Sequence, residues 1–391
     1  MNSPEAVPVI VDTASGKLEG LNRGQVCVFK GIPFATAKRW QAPERAAAWS
    51  GVRSARQAGA MAPQNPTQLA ALLGTGGGTI GEDCLSLNVW TPACDDAKRP
   101  VMVWIHGGAF VHGAGSQGLY NGKHLAQAGD VVVVTINYRL GAFGFLRLAD
   151  IPGGPGGSGS EGLLDQIAAL EWVRDHIGAF GGDAGNVTIF GESAGAMSVV
   201  SLMASPKAKG LFHKAICQSG GGHLGHTRDQ ATRVAEVFLR HAGLNADTAA
   251  TAPIEVLLKA QLDLLNEVDN AHDPHKLGAL AFQPTIDGDV LPLRPIDAIR
   301  EGAAAGIPLI AGTTAEEWKL WTAMDAGIQA MDEGKLERWA RRMFGDSAGS
   351  LLAANSNASQ YENYVFMQTQ RAFREPTHRL LDAQSKHAQV H

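Results

Sequence analysis

The chain has 391 residues, of which 45% are hydrophobic and only 18% are charged, and its formal net charge is −5. A chain of this length and composition buries a large core. The slight negative charge argues against nucleic acid or an anionic membrane surface as a partner. No apolar run approaches the roughly 18 residues of a membrane helix, and the N-terminus lacks the basic and apolar segments of a secretory signal. We therefore expect a cytoplasmic protein.

The four cysteines, Cys27, Cys84, Cys94 and Cys217, are scattered along the chain. They form no CxxC pair and have no metal-ligand spacing. We expect four free thiols, as in a reducing compartment, and no bound metal.

Residues 1–60 carry short antiparallel-strand patterns at 7–11, 17–19 and 26–29. Further along, apolar β-rich runs alternate with helical patterns, which is typical of a mostly parallel sheet with helices on both faces. These runs are residues 101–105, 131–136, 187–190, 214–217 and 307–310. The sequence therefore predicts an α/β fold, organised as a single domain over 1–391.

The helical patterns lie between these strands. Ser158 and Glu161 match an S-x-x-E capping box, and an apolar stripe follows as far as Ile177. A second helix is expected to start at Ser193 and to stop at Ser205. Residues 224–280 are helical in composition and are expected to form a cap. The glycine-rich stretch 74–78 predicts a flexible loop, because no Lys-Ser/Thr follows at phosphate-loop spacing.

Residues 191–195 read Gly-Glu-Ser-Ala-Gly and lie between a predicted strand and a predicted helix. A G-x-S-x-G match alone is weak, but a strand–turn–helix context presents the serine hydroxyl at the edge of an α/β-hydrolase sheet. The sequence therefore predicts Ser193 as a nucleophile. An idle serine in a tight turn is the alternative.

Residues 106–110 read His-Gly-Gly-Ala-Phe and directly follow the strand 101–105. Such a loop directs backbone N–H groups at the oxyanion of a tetrahedral intermediate. We expect Gly108, Ala109 and Ala194 to supply these donors. His106 is an alternative base, but the fold's order of serine, acid and then histidine favours a supporting role for it.

Two adjacent glutamates, Glu316 and Glu317, follow the strand that begins at 307. An acid at a strand end downstream of the serine is where this fold places the group that orients its histidine. The pattern leaves open which glutamate acts, and a solvated surface pair is a further alternative.

At this point the sequence resembles the type-B carboxylesterase family, which includes cholinesterases and bacterial p-nitrobenzyl-type esterases. The resemblance covers nearly the whole chain and follows the family's motif order. The motifs are residues 29–35, 39–43, 82–88, 106–110, 137–145, 162–166, 181–195 and 212–220.

The resemblance implies the α/β-hydrolase fold, hydrolysis of small, mostly uncharged carboxylic esters, and no cofactor. It places the catalytic acid at Glu317. It also implies two structural ion pairs, Arg39 with Glu82 and Arg139 with Asp165. One family disulfide is not expected, because the partner position of Cys84 holds Ala62.

The family's histidine lies in an H-G-x-E-type segment after the acid. Here only His378, His387 and His391 follow Glu317, and none precedes a glycine. Residues 376–383 read as an amphipathic helix, and 386–391 align with the loop that enters a further strand. We therefore expect a chain truncated before its base and a poor esterase. A non-catalytic relative that uses the fold as a binding module is the alternative.

Overall fold

The structure is a computed structural model that describes residues 6–67, 77–269, 280–323, 325–353 and 358–391. Of the glycine-rich stretch 74–78, only Gly77 and Gly78 fall inside these ranges. No helix in the described ranges is long and apolar enough to cross a membrane.

A ten-stranded sheet forms the centre of the molecule, in the order β1-β2-β3-β7-β9-β8-β10-β11-β12 with β6 beside β2. A separate two-stranded sheet pairs β4 with β5. The strands are β1 Val7–Thr13, β2 Gly16–Asn22, β3 Cys27–Pro33, β4 Ala35–Thr36, β5 Glu44–Arg45, β6 Val52–Ser54, β7 Ser86–Thr91, β8 Arg99–Ile105, β9 Val132–Ile136, β10 Gly182–Glu192, β11 Lys214–Gln218 and β12 Leu309–Gly312.

The half of the sheet that carries the predicted chemistry is parallel. β8 pairs in parallel with β9 and β10, and β10, β11 and β12 continue in the same sense. The other half is antiparallel: β1 pairs with β2, β2 with β3, β3 with β7, and β7 with β9. Because parallel strands end at the same edge, the loops after β8, β10, β11 and β12 lie along one side of the sheet.

Fourteen α-helices surround this sheet in the described ranges. They are α1 Lys123–Gly129, α2 Gly141–Phe145, α3 Glu161–His176, α4 Ala194–Ala204, α5 Arg228–Ala242, α6 Ala246–Ala249, α7 Ile254–Asp269, α8 Pro295–Arg300, α9 Lys319–Thr322, α10 Ala326–Gln329, α11 Glu333–Phe344, α12 Ala348–Ala353, α13 Gln360–Thr369 and α14 Glu375–Gln384. A π-helical segment, Gln370–Arg374, joins the last two. The helices expected from 193 to 205 and over 376–383 are confirmed as α4 and α14.

The expected capping box at the start of α3 is wrong. The helix begins at Glu161, and its N-cap residue Ser160 makes no side-chain cap hydrogen bond. The Ser158 N–H and hydroxyl instead donate to Glu161 Oε1, at 2.6 and 2.9 Å, and Gly159 N–H donates to Oε2. The pair therefore fixes the preceding loop against the helix and leaves the helix N-terminus uncapped by Ser158.

The segment 224–280 is helical as expected up to residue 269, and 270–279 lie outside the described residues. Its helices are amphipathic. Apolar residues of α5 and α7, including Val234, Phe238 and Leu257, are buried and belong to the same core cluster as the sheet. The two helices therefore pack as part of the main body.

The C-terminal residues pair with the last strand of the sheet. Leu309 N–H donates to Gln389 O at 3.0 Å, and Ala311 N–H donates to His391 O at 2.9 Å. His391 N–H donates back to Leu309 O at 2.9 Å. The edge of β12 is therefore covered by the C-terminal residues along this stretch.

Candidate active site

Ser193 lies at the turn between β10 and α4. Its backbone has φ 55° and ψ −123°, a conformation that a non-glycine residue adopts only under strain. Its N–H donates to Gln218 O at 2.9 Å, on the neighbouring strand β11. This tertiary bond holds the serine in the strained turn at the C-terminal edge of the sheet.

The two glycines of the turn are required by close contacts. A Cβ atom on Gly195 would lie 2.1 Å from Ile105 O, and one on Gly191 would lie 2.5 Å from the Gly195 carbonyl carbon. These distances are far below van der Waals contact, so any side chain would push α4 away from β8. The G-x-S-x-G spacing thus reflects how tightly α4 crosses the end of β8.

The loop after β8 lies against this turn. A Cβ atom on Gly107 would be 3.2 Å from Ser193 Cβ. Gly108, Ala109 and Phe110 all have positive φ, at 112°, 54° and 61°. In the part of the chain that the structure describes, the N–H groups of Gly108, Ala109 and Ala194 donate to no protein acceptor. The two loops therefore present unpaired donors beside the serine.

His106 is buried and faces away from solvent, with 1% of its surface exposed. Its ring stacks on Tyr138 at a centroid distance of 4.4 Å, and Nδ1 lies 2.9 Å from Gly107 O. The Tyr138 hydroxyl donates to His106 O at 2.8 Å. Burial lowers the pKa of His106 to about 4, so the ring is neutral near pH 7. These contacts agree with a supporting role.

The two candidate acids have different environments. Glu317 Oε1 accepts hydrogen bonds from Ser219 Oγ and Thr314 N–H, each at 2.6 Å. Glu316 is exposed and forms an ion pair with Lys319 at 3.0 Å. Glu317 is thus fixed at the end of β12 by two donors, whereas Glu316 has the environment of a surface glutamate.

Ser219 is a site residue that the sequence reasoning missed. It directly follows β11, is buried, and has a φ of 57°. Its N–H donates to Gly312 O at 2.8 Å while its hydroxyl reaches Glu317. In the sequence, Ser219 was noticeable only as part of the motif 212–220, and the motif did not indicate what the residue does.

Glu192, the residue before the serine, has a perturbed carboxyl group. Although the residue is exposed, desolvation of its carboxyl group and, as the smaller cause, the negative charge of Glu317 together raise its pKa to about 7. Burial and the nearby Glu192 together raise the pKa of Tyr120 to about 12. The Glu192 carboxyl group therefore lies beside the loop 106–110 and interacts electrostatically with that of Glu317.

No histidine in the described ranges is hydrogen-bonded to Ser193 or to Glu317. His378 is exposed on α14. The ring of His387 lies 3.0 Å from Arg300 O, and that of His391 lies 2.8 Å from the side chain of Gln389. None of the three downstream histidines is therefore hydrogen-bonded to the serine or to the acid.

The two ion pairs expected as scaffold are confirmed. Arg39 binds Glu82 through two hydrogen bonds of 2.7 and 2.5 Å, and Arg139 binds Asp165 through bonds of 2.8 and 2.7 Å. An open cavity of about 470 Å³ beside Arg39 and Glu82 contains neither Ser193 nor Glu317 in its lining. It is therefore separate from the elbow.

Comparison with known proteins supports this picture. The model of the carboxylesterase family matches residues 7–388. The para-nitrobenzyl esterase of Bacillus subtilis (strain 168) is 42% identical, over 97% of this chain and 77% of that protein. Phenmedipham hydrolase of Pseudarthrobacter oxydans is 37% identical, over 89% of this chain and 69% of that protein. The structure of a Geobacillus stearothermophilus carboxylesterase at pH 6.2 matches with a TM-score of 0.86 and 40% identity, over 98% of this chain and 78% of that one. The expected α/β-hydrolase fold is confirmed.

Proposed function

The chain belongs to the carboxylesterase family and is an ester hydrolase, and on that premise we propose that Ser193 is its nucleophile. The hydroxyl attacks the ester carbonyl, the alcohol leaves, and water then releases the acid from an acyl-serine intermediate. The strained backbone of Ser193 supports this role, because strain of this kind persists where the surrounding structure holds a reactive group in place.

The oxyanion hole in this proposal consists of the backbone N–H groups of Gly108, Ala109 and Ala194. Each is free of protein acceptors in the described part of the chain, and the loop that carries the first two lies against Ser193. Donors held in advance at the developing negative charge stabilise the transition state without reorganisation. The position of Ala194 at the start of α4 adds the positive end of the helix dipole.

Glu317 is the proposed acid that orients the catalytic base, and Ser219 is proposed to hold its carboxylate. The two short hydrogen bonds that Glu317 accepts favour it over Glu316, which is engaged with Lys319. A carboxylate in this position keeps a histidine in the tautomer that removes the serine proton. No described histidine is hydrogen-bonded to Ser193 or to Glu317, so that the proposed site does not include a base.

Small, mostly uncharged esters are the proposed substrates. The carboxyl group of Glu192, which precedes Ser193, and the Glu317 charge that acts on it would repel an anionic acyl or alcohol group. We also propose that residues 1–391 form one domain, with the helices of 224–280 bordering the site. A cytoplasmic location is proposed because all four cysteines carry free thiols.

A non-catalytic binding module is the less favoured alternative. In a relative that only binds, no reaction would maintain a serine with a strained backbone, two glycines required by close contacts, and a glutamate that accepts two short hydrogen bonds. This chain has all of them.

The observation that carries the proposal is the strained Ser193 lying under the loop 106–110. The test is turnover of p-nitrophenyl butyrate by the protein and by Ser193→Ala. In a form of the enzyme that has its catalytic base, loss of the nucleophile is expected to lower kcat by about 10⁶. Ser201→Ala, on the same helix, removes only a hydroxyl bonded to Met197 O and should retain turnover. Equal turnover by Ser193→Ala and the unchanged protein would refute the assignment.

A further inference from the structure

The loop that carries Glu317, residues 313–318, is tied to a helix much further along the chain. We call this segment the acid loop. Its last N–H, that of Trp318, donates to the hydroxyl oxygen of Thr369 at 3.1 Å, across a separation of 51 positions. Thr369 is the last residue of α13 and is completely buried. The hydrogen bond therefore fixes the peptide group that directly follows the proposed acid.

Two further contacts join the acid loop to the π-helical segment that follows α13. The Arg374 guanidinium donates to the carbonyl oxygens of Thr314 and Ala315, at 3.3 and 3.4 Å. The ring of Trp318 lies 6.3 Å from that of Phe373, which is buried. Segments of π-helix are rare and are found frequently at functional sites. The acid loop is thus held at both of its ends by one stretch of helix.

The helices between Trp318 and Thr369 have a small core of their own. Ala340, Ala348 and Met367 are buried together, in a cluster separate from the one that contains the sheet. The described apolar residues of 319–369 form no part of that larger cluster. Because the main core does not fix these helices, their polar contacts with the acid loop determine how the two segments lie against each other.

The hydrogen bonds of Glu317 leave one of its carboxylate oxygens available. Ser219 and Thr314 both donate to Oε1, and no group in the described part of the chain donates to Oε2. A carboxylate that orients an imidazole has to present an oxygen in the correct direction. The direction of Oε2 depends on the backbone of Glu317, and the bond to Thr369 restrains that backbone.

We propose that Thr369 is a positioning residue for the catalytic acid. Its hydroxyl holds the peptide group after Glu317 and thereby the direction of Oε2, so that it acts through the acid and not on the reacting atoms. The inference rests on the proposed role of Glu317. A misplacement of about 1 Å that originates away from the chemistry costs about 10² in rate. Loss of this one hydrogen bond is expected to have an effect below that limit.

Thr369→Val and Thr369→Ser are the test variants. Valine has the shape of threonine but lacks the acceptor, whereas serine retains it. The kcat and KM for p-nitrophenyl butyrate are measured in a form of the enzyme that has its catalytic base. We expect Thr369→Val to lower kcat about tenfold or more while KM changes less than about twofold. Thr369→Ser should have most of the original kcat, and an equal loss in the serine variant would overturn the proposal.

Thr377→Val is the matched control. Thr377 is also a buried threonine, on α14, and in the described ranges its hydroxyl has no hydrogen-bond partner. The replacement removes the same group without breaking a hydrogen bond, so kcat should stay unchanged. The same loss of kcat in Thr377→Val and Thr369→Val would indicate a general effect on packing and would overturn the proposal.

A double-mutant cycle separates this inference from the proposed role of Glu317. Once the carboxylate is absent its direction has no effect, so Glu317→Gln and the double variant with Thr369→Val should have the same kcat. Full kcat in Glu317→Gln would refute the acid assignment and this inference together. A large loss in Glu317→Gln with an unchanged kcat in Thr369→Val would overturn the inference alone. Losses that multiply in the double variant would do the same.

Hydrogen exchange provides a second measurement, on the full chain and without turnover. The Trp318 amide should be protected from exchange in the unchanged protein, and it should exchange about tenfold faster in Thr369→Val. Should that variant fail to fold, the unchanged protein and Thr369→Ser decide, because the amide is expected to be protected in both. A Trp318 amide that exchanges as fast in the unchanged protein as in an unstructured peptide would overturn the proposal.

Discussion

Replacing Gly195 by alanine tests whether the approach of α4 to β8 positions the nucleophile. Gly195 is the second residue of α4, and a Cβ atom there would lie 2.1 Å from Ile105 O and 2.9 Å from His106 O. Both contacts are backbone atoms, which cannot rotate away. The helix must therefore retreat by about 1 Å before the methyl group fits.

The size of the effect follows from this displacement. Overpacking of a close contact destabilises a protein by about 1–3 kcal/mol. Because Ala194 and Ser193 move with the start of the helix, a shift of about 1 Å at the reacting atoms should lower kcat by about 10². Binding of the substrate should change much less, since only the start of the helix is displaced.

The assay compares thermal midpoint, kcat and KM for p-nitrophenyl butyrate in Gly195→Ala and in Gly349→Ala. Gly349 is the second residue of α12, and a Cβ atom there meets nothing within 4 Å. Its replacement should stabilise the protein by about 0.5–1 kcal/mol and leave kcat unchanged. The reasoning is refuted if Gly195→Ala has the stability and kcat of the unchanged protein.

Three further predictions concern the carboxyl groups of the site. In a form of the enzyme that has its catalytic base, Glu317→Gln should lower kcat by several orders of magnitude, on the order of 10⁴, whereas Glu316→Gln should be mild; the reverse ranking would show that the acid is misassigned. Ser219→Ala removes a short hydrogen bond to a carboxylate, worth about 1.5–3 kcal/mol, and should lower kcat about tenfold or more with little change in KM; an unchanged kcat would exclude a positioning role. Glu192 has a folded-state pKa raised from 4.5 to about 7, so the folded state holds the proton more tightly and stability falls as pH rises through this window. Glu192→Gln should therefore melt about 1–2 °C above the unchanged protein at pH 8, with the difference vanishing toward pH 4.5; a constant difference across this range would contradict the assignment.

Much of the sheet could be predicted because its central strands are continuous apolar runs. The strand β9 is buried throughout, and the apolar residues of β8 alternate between buried and half-buried, so that both runs are visible in the sequence alone. The strand β7 was not predicted. Its Asn88 and Thr91 are buried, and their polar groups are satisfied by Thr135 and Phe180 on other elements. A hydropathy pattern does not reveal such partners.

The site likewise contains residues that the sequence predicted and residues that it did not. Ser193 and the loop 106–110 were predictable because the glycines that their close packing requires stand at a fixed spacing in the sequence. Ser219 was not, because its role depends on Glu317, which is 98 residues away. The perturbed pKa of Glu192 likewise depends on burial and on the charge of Glu317. Local sequence therefore predicts the backbone of the site, whereas the partners of its carboxyl groups emerge only in three dimensions.

The most direct test of the account is to trap the acyl-enzyme. The protein is mixed with p-nitrophenyl acetate, quenched in acid while p-nitrophenol is being released, and digested for peptide mass spectrometry. The account predicts a single acetyl adduct of about 42 Da on Ser193, absent from Ser193→Ala. Release of p-nitrophenol with the acetyl group on another residue, or with no adduct on Ser193 at any quench time, would contradict it.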